Sequence, residues 1–599
     1  MAANTLWKLI PSDNECSDIA KEAGISALQA TLLFNRGIKS IDEINKFLFP
    51  KLAELKDPRL MYGMDLAAAR IADAVEFKEA IGIHGDYDVD GLTSTALLYR
   101  FLLSLYDREI IKDNSFQNLT NNTSGSKIFF YIPSRSSDGY GLSIKGIEKL
   151  HEQGAKLLIT VDCGISNCTE IENAKKLGMD VIVTDHHIVK ENEIPDCIII
   201  NPNQESCPFP FKGLAGVGVA FFLAVAVRSE LRNRGFFCRY PEPDLREYLD
   251  FVALGTLADY MPVVKDNRAL VVGGIKQIST SRWKGLKALM PEYIKDSKEN
   301  TEIKVDDMVF RFAPRLNAPG RISNPDISMK LLISDDPIDV MTYAQEIEKT
   351  NRMRKEEEEK VLEDAKAMID GSIDINNSSS LILGAKNWHK GVIGIVASRL
   401  VSMYQRPTLL YVEDDGMATG SGRAADGFNL YSAVFELENL FERFGGHEKA
   451  IGFMFKVDRL YEIKNGFERI VIERTGSKPQ TINIDAELSI DSVTEKLVKE
   501  IERLAPFGTG NPKPLFLLRR LQCHKNYRII GMNHLEFYVF SGFKKIKCIA
   551  YELASKKIML DCREPVDIIA TPEYDTWGRE KQVILRVKDI CLSGYSKVC

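Results

Sequence analysis

The sequence predicts an α/β protein: a doubly wound, mainly parallel-sheet domain, a long connecting helix, a second α/β domain and a small C-terminal β-barrel of OB type. Three observations carry this expectation. Between residues 78 and 270, apolar β-branched runs that stop at acidic residues alternate with helical segments. Continuous apolar strands separated by helices are the mark of a buried parallel sheet. A densely charged stretch of helical spacing then leads into another strand–helix region. The final segment is a succession of short strands with turns between them.

The elements follow in order. Residues 1–50 read as a helical lead-in that stops at Pro50, and residues 51–325 as the sheet domain. In that domain IGIHGD ends a strand, LTSTALLYRFLLSLY follows as a helix, and KIFFYIP, LLITVD, VIVTD and CIIINPN are further strands. KDNSFQNLTNNTSGSK (112–127) is polar and turn-rich and reads as a surface insertion. Asn118, Asn121 and Asn122 head N-x-S/T triplets there, which without a secretion signal are simply a polar loop. Residues 326–375 read as connecting helices, with NRMRKEEEEKVLEDAKAMI one long helix whose charges form a solvated face. NNSSS (376–380) opens the second α/β domain, 376–505. The Pro/Gly-rich LAPFGTGNPKP marks the next boundary, and 506–599 forms the barrel.

Composition agrees. At roughly 150 residues per domain, 599 residues correspond to about four domains. The chain is 45% hydrophobic and 27% charged, which excludes wholesale disorder and a collagen-like or disulfide-dense scaffold. No apolar run reaches 18 residues, so no membrane-spanning helix is expected. MAANTLWKLIPSDNECSD lacks the features of a signal peptide, so a cytoplasmic location is expected. Eleven cysteines without a CxxC pair point to scattered reduced thiols rather than a zinc ribbon.

The strongest chemical signal is HGDYDVDG (84–91). His84, Asp86, Asp88 and Asp90 alternate directly after an apolar strand, and alternating residues of an extended chain share one side. Asp162 ends the next strand, Asp185, His186 and His187 end another, and Asp259 follows in DFVALGTLADYMPV. In a doubly wound sheet such strand ends share one edge and form the ligand crevice. Any single Asp there equally serves as a helix N-cap. Together, carboxylates this close repel one another unless cations neutralise them. Mixed Asp/His donors suit Mn²⁺ or Mg²⁺, and two such ions suit phosphoryl chemistry.

These residues resemble the DHH phosphoesterase family, whose motif stands here as Asp185-His186-His187, and more closely its RecJ-type branch of single-strand-specific DNA exonucleases. HGDYDVDGLTSTALL, YIPSRSSDGYGLS, ITVDCGIS, VTDHH, LAGVGVAFFLA, ALGTLADYMPV, APRLNAPGRI, WHKGVIGIVASRL, GSGRAADGFNL, FGGHEKAIGF and APFGTGNPKPLF are similar to its segments, in its order. The resemblance implies a metal-dependent 5′→3′ exonuclease that degrades single-stranded DNA to 5′-mononucleotides in repair and recombination. It implies His84, Asp88, Asp90, Asp162, His186 and Asp259 as ligands of two divalent ions, Mn²⁺ or Mg²⁺, with Asp162 bridging. Asp86 would be a supporting or catalytic carboxylate, His187 would face the scissile phosphate, and Asp185 would orient the histidine pair. Arg135, Arg315, Asn317 and Arg321 would line the strand's path. Ser421 and Arg423 of GSGR would hold the 5′-terminal phosphate, and FGGH would offer the substrate close backbone approach and the His447 imidazole. A single-strand-binding protein and a helicase are implied partners of a monomer. Two departures from the family pattern, Pro319 and Ala424, put local phosphate contacts in question.

Alternatives remain open. A single Arg equally forms a surface ion pair, and GSGR alone an ordinary turn. The chain could also be a phosphodiesterase of short oligonucleotides or cyclic dinucleotides, or a silent DNA-binding scaffold. Charge distribution favours a long polyanion. Residues 513–599 carry 16 Lys and Arg against 9 Asp and Glu, although the whole chain is at −6. That segment also holds Phe516, Tyr527, Phe537, Tyr538, Phe540, Phe543 and Trp577, and a positive surface with aromatic platforms suits single strands. KKIK (544–547) would supply phosphate contacts. Each aromatic could equally belong to the barrel core.

Overall fold

The computed structural model describes residues 6–11, 16–106, 127–135, 138–139, 141–189, 193–205, 207–290, 303–372, 374–375, 377–475, 481–523, 526–531, 533–562, 564–575 and 582–594. The expected insertion, up to residue 126, and Trp577 lie outside these. The chain divides into two compact units. One comprises Lys39–Arg352 with Leu504–Lys513; the other comprises Met1–Ile38, Met353–Arg503 and Pro514–Cys599.

The first strand, β1 (Leu6–Leu9), belongs to the second unit. The next five are β2 (Ile81–His84), β3 (Ile128–Tyr131), β4 (Leu157–Val161), β5 (Asp180–Thr184) and β6 (Ile198–Ile200). They form a wholly parallel sheet in the order β3-β2-β4-β5-β6. Period-two alternation builds its two cores. Leu157, Ile159 and Val161 face the larger one with the helices Met64–Phe77, Val89–Tyr106 and Gly216–Asn233. Leu158, Val181 and Val183 face the smaller one with the helices Ile144–Glu152 and Cys168–Lys176. The strand order reverses between β2 and β4, and ligands bind at such a switch point beyond the strands' C-terminal ends.

Backbone bonds continue the ladder one residue past the strand ends. Gly85 N–H donates to Tyr131 O, Asp162 N–H to Thr184 O and Asp185 N–H to Ile200 O, each at 3.0 Å. The acidic residues of three strands are thereby brought to one level.

The LAPFGTGNPKP segment is docked rather than loose. Buried Arg268 donates to the carbonyls of Phe47 (2.6 Å), Ala505 (2.7 Å), Leu504 (3.1 Å) and Pro506 (3.4 Å), and its guanidinium lies 3.7 Å from the Phe47 ring centroid. Asn511 Nδ2 bonds the carbonyls of Leu504 and Pro506, each at 2.9 Å. Its Pro and Gly residues shape a tight loop that presents carbonyls inward. They do not make a linker there.

The expected charged helix is present as Pro337–Ser372, 36 residues and about 54 Å long at 1.5 Å per residue. It passes through the division between the units at residues 352/353. In the second unit, β7 (Leu381–Ala385), β8 (Thr408–Asp414), β9 (Met417–Arg423), β10 (Arg443–His447) and β11 (Ala450–Lys456) form a sheet in the order β10-β11-β9-β8-β7. The lead-in expected at 1–50 is split. Residues up to 38 join this unit, where β1 pairs with β12 (Thr481–Ile484) and Trp7 Nε1 donates to Asp589 at 3.0 Å.

The remaining strands are β13 (Ala486–Glu487), β14 (Phe516–Cys523), β15 (Arg528–Ile530), β16 (His534–Ser541), β17 (Lys544–Ala550), β18 (Val566–Tyr574) and β19 (Val583–Leu592). Their sheet runs β13-β14-β18-β19-β17-β16-β15, and the extra pairing of β14 with β16 closes β14, β18, β19, β17 and β16 into a ring. This is the expected small barrel. Phe516 and Phe537 fill its core, Tyr527, Tyr538 and Phe540 are half-buried, and Phe543 is fully exposed. Within KKIK, Lys544 donates to the carbonyls of Asp491 and Val493 and Lys547 pairs with Glu536 and Asp575, while Lys545 lies 4.3 Å over the Tyr538 ring. Among the described residues no helix is long and apolar enough to cross a membrane.

Arg268→Ala would leave several inward carbonyls without their charged donor. The expected cost is about 3 kcal/mol, with the 504–513 segment cut first in limited proteolysis. A cleavage pattern and melting curve equal to those of the parent would contradict this role.

Candidate metal centre

The chain leaves the sheet at His84, and the helix Val89–Tyr106 begins five residues later. Asp86, Asp88 and Asp90 lie on this turn. Asp88 Oδ1 accepts from Gly91 N at 3.1 Å, so it does serve as the cap of that helix. Asp90 is held from outside its own helix. Its two oxygens accept the first N–H groups of the helix Gly216–Asn233, from Gly216 at 2.6 Å and Val217 at 2.9 Å. Asp162 follows β4 with a φ of 61°, a left-handed backbone that turns its carboxylate out of the sheet. Gly216 is packed so closely that a Cβ there would lie 2.7 Å from Asp162 Cβ. Asp259 caps the C-terminus of the helix Leu249–Ala258.

His186 Nε2 lies at the centre, 3.1 Å from Asp162 Oδ1 and 3.7 Å from both Asp90 Oδ2 and Asp259 Oδ2. Three sets of side chains bring ligand atoms within 4.8 Å of one another: Asp162, His186 and His187; Asp90, His186 and Asp259; and Asp86, Asp88 and Asp162. Asp162 thus stands between an Asp86–Asp88 side and a His186–Asp90–Asp259 side.

Burial and mutual repulsion dominate the electrostatics. Burial pushes the Asp86 and Asp162 carboxyls well up, reinforced by neighbouring carboxylates. Asp90 rises to about 7 and Asp259 to about 8 for the same two reasons. Asp185 behaves oppositely. Burial would raise it, but the hydrogen bond and charge of His187 outweigh burial and hold it at about 2. Its Oδ1 accepts from His187 Nδ1 (2.7 Å), His186 N (2.7 Å) and His187 N (3.1 Å), and its Oδ2 from Ile165 N (3.1 Å). For His187, burial would lower the pKa, but Asp185 raises it to about 9. Burial and the His187 charge keep His186 neutral, at about 4, the form that ligates metals.

A divalent cation fits this donor set. Asp86 Oδ1 and Asp162 Oδ1 are buried with no hydrogen-bond partner among the described residues, a costly state that a cation relieves. Carboxylates with one neutral imidazole suit Mn²⁺ and Mg²⁺.

His84 departs from the ligand role expected of it. Its Nδ1 is 3.1 Å from Gly85 O, its Nε2 is 3.4 Å from Ser143 Oγ and N, and its ring centroid lies 5.2 Å from that of Tyr131. Burial lowers its pKa to about 4. Alternation puts residues on one side only while the chain stays extended, and the strand ends at His84. Asp86, expected as a supporting or catalytic carboxylate, brings its oxygen within 4.8 Å of those of Asp88 and Asp162, close enough to share a cation.

The flanking polar residues divide. Asn317 lines a small cavity with Asp88, Asp90 and Asp259. Arg135 is exposed, its guanidinium 5.6 Å from the Tyr87 ring centroid. Arg321 lies close enough for its charge to be felt at Tyr87. Arg315 is ion-paired with Glu348 at 2.7 Å, the alternative the sequence left open. Pro319 opens the short helix Pro319–Ile322, where an N–H has no intrahelical partner and its loss costs little.

In the second unit, Arg423 Nη1 donates to Ser421 Oγ at 2.8 Å. A Cβ on Gly394, in the first turn of the helix Ile393–Tyr404, would lie 2.9 Å from Arg423 Nη2 and 3.0 Å from Ser421 Oγ. A hydroxyl, a guanidinium and a helix N-terminus thus meet, a combination suited to an anion. Arg423 and His447 both pair with Ala450 across adjacent strands, so the exposed His447 stands at the same level. Ala424 instead packs against this unit's core.

Sequence reasoning missed two supports. Asn201 Nδ2 donates to His187 O at 2.9 Å and Asn203 Nδ2 to His186 O at 2.6 Å, clamping the histidine pair. The signal was the polar NPN that ends CIIINPN. The other is the N-terminus of LAGVGVAFFLA, which holds Asp90.

Comparisons with known proteins agree with this architecture. The model of the DHH family, N-terminal domain, matches residues 80–256, that of the DHHA1 domain 377–473, and that of the RecJ OB domain 484–589. The chain is 32% identical to the single-stranded-DNA-specific exonuclease RecJ of Bacillus subtilis (strain 168), with 99% of this chain and 72% of that one covered. Its structure is similar to the crystal structure of RecJ in complex with Mn²⁺ from Thermus thermophilus, with TM-score 0.78, 26% identity, and 99% of this chain and 81% of that chain covered. The Mg²⁺ complex from the same organism gives a TM-score of 0.74 at 25% identity, covering 99% and 80%.

Because the raised carboxyls hold protons near neutrality, Mn²⁺ added at pH 6.5 is expected to release protons into weak buffer. The release should shrink as the pH is raised, through about 7 as Asp90 ionises and about 8 as Asp259 does. A release independent of pH would contradict the assignment. Gly216→Ala should weaken Mn²⁺ binding by about tenfold or more, read by calorimetry, because its Cβ displaces Asp162.

Proposed function

Because the chain belongs to the RecJ family of single-stranded-DNA-specific exonucleases, within the DHH family, we propose that it is a divalent-metal-dependent exonuclease. It degrades single-stranded DNA from the 5′ end to 5′-mononucleotides. The observation that carries the reading is the buried Asp/His cluster at the sheet's switch point, with carboxylate oxygens that no group among the described residues satisfies.

Asp86 and Asp88 would hold one Mn²⁺ or Mg²⁺, Asp90, His186 and Asp259 would hold the other, and Asp162 would serve both. When bound, the ions supply Lewis-acid stabilisation of phosphate charge and lower the pKa of water. The protein's own part is positional. Asp185 keeps His187 protonated at Nδ1 and fixes its ring, leaving Nε2 to hydrogen-bond a non-bridging oxygen of the scissile phosphate. Asn201 and Asn203 fix the backbone beneath that ring. Arg135, Asn317 and Arg321 take phosphates along the strand, and Arg315 joins them by exchanging Glu348 for a phosphate. His84 supports the first acidic turn from beneath. Ser421, Arg423 and His447 take the 5′-terminal phosphate, which sets polarity.

The domain roles follow the boundaries read from the sequence. Residues 51–325 carry the chemistry, 376–505 bind substrate and 506–599 bind further nucleic acid, with the exposed Phe543 and the half-buried Tyr538 and Phe540 as platforms. The protein works as a cytoplasmic monomer in DNA repair and recombination, alongside a single-strand-binding protein and a helicase.

A 5′-labelled single strand digested with Mn²⁺ should give labelled mononucleotide at once, and Asp162→Ala should slow this on the order of a thousandfold or more while DNA binding persists. Label retained on shortening strands would reverse the polarity. Near-parental turnover in Asp162→Ala would defeat the two-ion assignment.

A further inference from the structure

We propose that Tyr87 is a positioning residue for the DNA strand: its ring seats the Arg135 guanidinium at the edge of the acidic cluster, ready for a backbone phosphate. The inference rests on the exonuclease reading above.

Arg135 differs from several other arginines of its unit. Arg100, Arg234 and Arg315 are each committed to a carboxylate at 3.0 Å or less. Arg135 is exposed and, among the described residues, has no ion-pair or hydrogen-bond partner. Its contact is the face of Tyr87, at 5.6 Å. Yet its charge is felt at Asp86, where it opposes the effect of burial. A cation this near several buried carboxylates tends to collapse onto them, which would occupy the ligands a metal needs. A ring face offers it a competing seat.

Tyr87 is itself fixed. It lies between Asp86 and Asp88, half-buried, and its carbonyl oxygen lies 3.1 Å from where a Cβ of Gly320 would be. The acidic turn, the Arg135 loop and the Gly320–Arg321 turn therefore meet at this one residue. Asn317, three residues before Gly320, lines the cavity beside Asp88, Asp90 and Asp259. Metal ligands and phosphate-binding groups are thus held in register through Tyr87.

The test replaces Tyr87 with phenylalanine and then with mono-, di- and trifluorinated phenylalanine, which keep the ring's shape and progressively weaken its negative face. KM and kcat are measured on a 5′-phosphorylated single strand in the metal-loaded, full-length protein. Tyr87→Phe should keep KM within about twofold, and KM should then rise with each fluorine, to about two- to fivefold in all, at unchanged kcat and unchanged Mn²⁺ affinity. In an Arg135→Ala background the dependence on fluorine should vanish. A KM indifferent to fluorination, or a dependence that survives Arg135→Ala, would overturn the proposal. A parent protein that cleaves no single strand would instead bring down the exonuclease reading, and this inference with it.

Discussion

Mutual repulsion among Asp86, Asp90, Asp162 and Asp259, confined to a buried pocket, is the constraint on which the sheet unit turns. Like charges in a low-dielectric site are expensive, and the protein's own response is to leave them protonated. The pocket is built so that a divalent cation is the better response. No arginine or lysine reaches in to pair with these carboxylates among the described residues. What surrounds them is backbone N–H, the neutral His186, close-packed glycine and the His187 imidazolium, which is itself paired with Asp185. The structure stores an unfavourable arrangement that a metal relieves, and stable secondary structure holds it in place.

The groups that do form complete pairs have a different task. Asp185 is satisfied four times over, by two backbone N–H groups beside it, by that of Ile165 and by the His187 ring. It is the one carboxylate of the cluster pulled below the ordinary range. A fully satisfied, rigid carboxylate is suited to orienting its neighbours, and an under-satisfied one to holding a cation. Chemically identical side chains are sorted into these two roles by the number of donors the fold supplies. Asn201 and Asn203 extend the same logic outward, holding the carbonyls of the histidine pair so that its rings have little freedom.

The second unit solves the opposite electrostatic problem with related means. There the helix Ile393–Tyr404 starts against Ser421 and Arg423, and the surface favours an anion. A helix N-terminus serves in both units. In the first it steadies Asp90; in the second it faces a site that has the donors for phosphate. The barrel keeps part of its basic charge occupied internally, through Lys544 and Lys547, so its net charge overstates what is offered to a polyanion.

Much of this was legible in the sequence, because it depends on local pattern. Apolar runs ending in Asp identified the strands and their shared edge, short alternating strands identified the barrel, and the spacing of charges identified the long helix. The convergence of Asp86, Asp88, Asp90, Asp162 and His186 follows from strand ends meeting at one edge, and Asp259 joins them from the end of a helix. Tertiary structure alone decided the rest. His84 has its ring nitrogens against Gly85 and Ser143, because the strand ends there and the chain turns away from the line that alternation assumes. Arg315 went to Glu348, the Pro/Gly segment at the boundary docked on Arg268, and the first residues joined a strand at 481–484. Each of these depends on which groups from distant parts of the chain arrive to satisfy a donor, an acceptor or a charge. Periodicity records which way a side chain faces; the partner waiting for it is fixed only when the whole chain has packed.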